Sequence, residues 1–122
     1  MMNTLLLNAA RAFAMVSFSD GRLSPVEAQR FARLAAQEPA LSPFGHLQAA
    51  DAWTVASREV HEAQSFGGAL LAIRQEITDP DGKTLIMRMA QAAIVADGKV
   101  EAQENKAISS LAEALGLDPD AY

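Results

Sequence analysis

Apolar residues recur at helical spacing along almost the whole chain, and no stretch of six or more residues alternates in polarity. The pattern predicts an all-α protein, a compact bundle of six to seven helices. The first helix is expected from Thr4 to Phe18. Leu5, Leu6, Ala9, Ala10, Ala12, Phe13 and Val16 give it a wide apolar stripe, and Asn8 and Arg11 are assigned to its outer face. The second opens on a strong start signature: Ser24 as cap, Pro25 in the first turn and Glu27 three residues after the cap. Its buried face is expected to carry Val26, Phe31, Leu34 and Ala35, with Arg30 and Arg33 facing water, and Pro39 ends it.

The stretch from Pro39 to Gly45 holds two prolines and reads as a loop. A third helix is expected from Gln48 to Ala63, carrying Trp53, Val55, Ala56 and Val60. A fourth is capped by Ser65 and runs through Leu70, Leu71, Ile73 and Ile77. Asp79-Pro80-Asp81-Gly82 reads as a turn. A fifth helix follows from Lys83 to Ala96, with Leu85, Ile86, Met89, Ala93 and Ile94 inside. A sixth runs from Ala102 to Leu115 and is stopped by Gly116.

Length and composition narrow the function classes. At 122 residues the chain fits one domain, residues 1–122, large enough to bury a real core. It has no cysteine, which removes disulfides, thiolate zinc sites and cysteine nucleophiles. The formal net charge of -5 argues against nucleic acid as a partner, because neutralising phosphates takes a basic surface. That charge is unevenly placed. Asp20, Glu27, Glu38, Asp51 and Glu59 balance the five arginines of residues 1–61, so the whole excess lies in residues 62–122. Such polarity suits two solvated faces of opposite sign, a head-to-tail contact or a basic partner. The start of the chain lacks the basic n-region of a signal peptide, and Arg11 interrupts its apolar run. No run is long enough to span a bilayer, so the expected location is the cytoplasm.

An internal repeat is the main signal. A shift of 77 residues lays Asp20-Gly21-Arg22-Leu23 on Asp97-Gly98-Lys99-Val100 and Glu27 on Glu104. Arg11 falls on Arg88, Phe31 on Ile108, Leu34 on Leu111 and Ala35 on Ala112. Between residues 11–35 and 88–112, the identical pairs are an Arg, Asp, Gly, Glu, Leu and Ala. The shared unit is Asp-Gly, any residue, a hydrophobe, three residues and a Glu. Two copies of one helix-loop-helix unit, about residues 4–38 and 81–118, are expected to pack with pseudo-twofold symmetry.

The repeat supports two physical readings. In the structural one, Gly21 and Gly98 make the turn, each aspartate bonds nearby N–H groups, and each glutamate sits where a helix start favours negative charge. In the functional one, Asp20, Glu27, Asp97 and Glu104 are oxygen ligands that converge on a hard divalent cation such as Ca²⁺, Mg²⁺ or Mn²⁺. Converging carboxylates repel, so they need such an ion or raised pKa values. An EF-hand does not fit. Counted from Asp97, glycine falls at position 2, and counted from Asp79, position 12 is Ala90.

The doubled Asp-Gly-x-hydrophobe-x-x-x-Glu unit, with the ending Leu111-Ala112-Glu113-Ala114-Leu115-Gly116-Leu117, resembles the TerB-like family, named for bacterial tellurite resistance. The order of a first unit, a loop with Pro43-Phe44, a tryptophan-bearing middle helix and a second unit is similar as well. One departure is Ser19 before the first Asp-Gly, where the second unit has Ala96 and many relatives have alanine. The resemblance implies an all-helical, stress-response or co-chaperone-associated module without established catalysis. It also implies that Asp20, Glu27, Asp97 and Glu104 are the candidate metal site.

Enzyme signatures are sparse. His46 and His61 have no carboxylate or histidine at helical ligand spacing, and no Gly-x-Ser-x-Gly elbow occurs. Gly67-Gly68 lies in a helical stretch without the flanks of a phosphate loop. Met15, Met87 and Met89 read as core filler and Trp53 as a core anchor. The expectation is a non-enzymatic module whose partner is another protein or a second copy of the chain, with a metal-binding or metal-sensing protein as the alternative. Asp97→Ala separates the two roles of the repeat. As a cap and turn residue it costs about 1 kcal/mol. As a ligand it also abolishes any rise in melting temperature given by millimolar Ca²⁺, Mg²⁺ or Mn²⁺.

Overall fold

The structure, a computed structural model, describes residues 3–18, 26–63, 65, 67–97 and 102–117, with residues 95–97 and 102–104 described for their helical backbone alone. Six α-helices account for most of them: α1 (Thr4–Ser17), α2 (Val26–Gln37), α3 (Gly45–Ala63), α4 (Gly67–Glu76), α5 (Pro80–Asp97) and α6 (Ala102–Leu115). A 3-10 turn, Ser42–Phe44, precedes α3, and there is no strand among the described residues.

The helix ends follow from single side chains. Asn3 caps α1, its side-chain oxygen accepting the Leu6 N–H at 3.1 Å. Ser65 Oγ accepts the Gly67 N–H at 3.1 Å where α4 begins. Asp79 Oδ2 accepts the Gly82 N–H at 2.9 Å, which makes Asp79 the cap of α5 and puts Pro80 at its first position, where no N–H is needed. The expected turn at Asp79–Gly82 is therefore the first turn of α5, which starts three residues earlier than Lys83. Likewise α3 starts at Gly45, before the expected Gln48. The end of α6 is a Schellman motif. Gly116 has φ 72°, its N–H bonds the Glu113 carbonyl at 3.1 Å, and the Leu117 N–H bonds the Ala112 carbonyl at 2.8 Å.

Helix α1 is the axis of the bundle. It packs against each of the other five helices, and every residue from Asn8 to Val16 is buried. Ala9, Ala10, Ala12 and Ala14 are fully buried and bring neighbouring backbones close. On one side Phe13 stands edge-on to Phe31 of α2 and Trp53 of α3, with ring centroids 5.8 and 5.7 Å away. Phe31 and Trp53 stack at 5.8 Å. Elsewhere the core takes Ile73, Ile86, Met87, Met89, Leu111 and Leu115. Met15, Met87, Met89 and Trp53 are thus core residues, as expected.

One expected core position, Val26, lies outside, as do two other apolar helix residues, Val55 and Leu71. Val26 is 41%, Val55 38% and Leu71 53% exposed. The buried stripe of α2 runs through Glu27, Phe31 and Ala35 at four-residue spacing, which turns Val26 away. That of α3 runs through Ala49, Ala52, Trp53, Ala56 and Val60, and that of α4 through Ala69 and Ile73, so Val55 and Leu71 fall off both. The expected outer placement of Asn8 and Arg11 is also corrected: they are 0% and 8% exposed. Between Asn8 and Val16 the five helices around α1 leave it no outer face.

Gly116 is the clearest local test. A side chain at its positive φ is strained, so Gly116→Ala is expected to cost about 1 kcal/mol, and Gly116→Val more, in urea denaturation. Wild-type stability in Gly116→Val would contradict the motif.

Candidate functional site

In the sequence, each Asp-Gly pair falls at a boundary between two successive helices. The first lies between α1 and α2, the second between α5 and α6. Under the 77-residue shift, α2 falls on residues 103–114, within one residue of α6 at each end. Asp20, Gly21 and Gly98 lie outside the described residues. Asp97 is the last residue of α5, and Glu104 lies in the first turn of α6, both described for backbone alone.

Glu27 is the one candidate ligand whose side chain is described. It is 8% exposed, in the first turn of α2 at the head of the buried stripe. Its Oε2 accepts from Ser17 Oγ at 3.3 Å, and its Oε1 accepts from Arg30 Nη1 at 3.3 Å. Ser17 is the last residue of α1, so Glu27 ties the two helices together across the first loop. The helix start adds favourable partial positive charge. Among the described residues no group of three or more His, Cys, Asp or Glu is placed to hold a metal ion. Asp20 and the side chains of Asp97 and Glu104 are not among them. His46 and His61 are both exposed.

Among the described residues, a densely bonded polar cluster involves Asn8 and Arg11, which helical periodicity places on the surface. Asn8 Nδ2 donates to the Thr4 carbonyl at 2.8 Å and to Glu76 Oε1 at 3.1 Å. Asn8 Oδ1 accepts from Arg11 Nη1 at 3.0 Å. The Arg11 guanidinium then meets Glu59 of α3 side-on, Nε to Oε1 and Nη2 to Oε2, each at 3.3 Å. Its Nη1 reaches both oxygens of Glu76 at the end of α4, at 3.4 and 3.3 Å. The arginine side chain is 10% exposed and each glutamate side chain 40%. A buried guanidinium requires this kind of satisfaction, since removing it from water without partners costs several kcal/mol. A signal for the cluster existed in the sequence. Apolar residues occur on every side of α1 between Leu5 and Val16, so its few polar residues had no wet face to occupy.

The repeat does not carry this role over. Arg88, the counterpart of Arg11, is 54% exposed and binds Glu38, just beyond α2, through Nε–Oε2 at 3.2 Å and Nη2–Oε1 at 3.0 Å. The two units share the order helix, Asp-Gly, helix, while these two arginines differ in surroundings. Next to Arg88 a cleft of about 550 Å³ opens between the starts of α1 and α5 and the end of α4, with Leu5, Ile77, Asp79, Asp81 and Arg88 among its walls.

Comparison with known proteins places the chain. The family model described as "Tellurite resistance protein TerB" matches residues 6–122, nearly the full length, and the chain belongs to that family. No curated protein and no solved structure matches it.

The cluster around Arg11 predicts an asymmetry. The double variant Glu59→Gln/Glu76→Gln strands a buried cation and is expected to cost about 2 kcal/mol at neutral pH, reduced from the value for fully buried pairs because both carboxylates are partly exposed. Asn8→Leu/Arg11→Met removes both buried polar groups and frees the glutamates to water, so its cost is expected to be smaller. Chemical denaturation measures both. The reverse order would contradict the account of the cluster.

Proposed function

We propose that this TerB-family chain is a non-enzymatic helical module that binds another protein in a tellurite- or metal-related stress response, within the cytoplasm. The observation that carries this reading is how the described buried polar side chains are employed. Asn8 and Arg11 bond α1 to α3 and α4, and Glu27 bonds α2 to α1. Among the described residues no buried side-chain polar atom lacks a partner. Groups already satisfied in this way hold helices and are poorly placed to move protons at a substrate. The acidic charge favours a protein partner over nucleic acid. A second copy of the chain is a candidate partner. No described helix is long and apolar enough to cross a membrane.

The alternative is a divalent-cation site formed by Asp20, Glu27, Asp97 and Glu104. Its support is the burial of the Glu27 carboxylate beside the first loop, together with the matching placement of α2 and α6 under the repeat shift. A hard cation such as Ca²⁺, Mg²⁺ or Mn²⁺ suits an all-oxygen set.

Thermal melting of the full chain with and without these cations tests the choice. In the module reading, Glu27→Gln loses about 1 kcal/mol through its Ser17 and Arg30 bonds, and the loss is the same with or without cation. Capture from the native cell then recovers one protein whose binding is reproduced with purified components. A wild-type melting temperature that climbs with cation, and no longer does so in Glu27→Gln or Asp97→Ala, overturns the module reading in favour of the metal site.

A further inference from the structure

We draw no further inference here: the strongest candidate, the cleft between the starts of α1 and α5 and the end of α4, is walled by Asp79 and Asp81 of a capped helix start and by an Arg88 already paired with Glu38, and nothing in the structure shows what would occupy it.

Discussion

A cation on a helix that has no side facing water must find its counter-charge inside the protein, and the bundle is arranged around that requirement. The Arg11 guanidinium, on the central helix α1, takes Glu59 from α3 and Glu76 from α4. Those two contacts agree with the rotations that bury the apolar stripes of α3 and α4, since each rotation also points one glutamate at the arginine. Asn8 completes the arrangement by bonding both Arg11 and Glu76. Two carboxylates against one guanidinium leave an excess negative charge, and the partial exposure of the glutamates lets water share it. The apolar side of the same helix is simpler. Phe13 anchors α2 and α3 through Phe31 and Trp53, and the buried alanines let the remaining helices close in.

Much of this fold was legible in the sequence, and the failures have physical causes. Helical periodicity and local caps located the six helices, because Ser65 and Gly116 act through bonds to their own neighbours. The start of α5 was obscured by chemistry shared between turns and helix starts. Asp-Pro-Asp-Gly suits both, and the deciding Asp79–Gly82 bond depends on how the chain continues. Val26 reads as inward for being apolar, whereas the buried stripe of α2 is set by Phe31. Arg11 was misplaced because a helix wheel assumes that a polar residue marks the solvent side. That assumption fails when five partners surround one helix.

The candidate site was legible to a different degree. The 77-residue shift lays α2 within one residue of α6 at each end, and the family match covers residues 6–122. Glu27, singled out for its spacing from Asp-Gly, is a buried carboxylate at the junction of two helices. Sequence spacing alone could not distinguish a helix-tying carboxylate from a ligand, because both roles favour an oxygen acceptor in the first turn of a helix. The divergence of Arg88 from Arg11 has a similar explanation. Local sequence can repeat at the two positions, while burial depends on how many other helices cover each, and α1 is buried from Asn8 to Val16.

The central claim is that α1 forms the innermost element of the bundle and is released only when the whole fold comes apart. Native-state hydrogen exchange of the full chain measures this most directly. The amides of Ala9 to Val16 are expected to exchange most slowly, with an opening free energy equal to that of global unfolding. Exchange of these amides through a local opening, ahead of the amides of α2 and α4, would contradict the account.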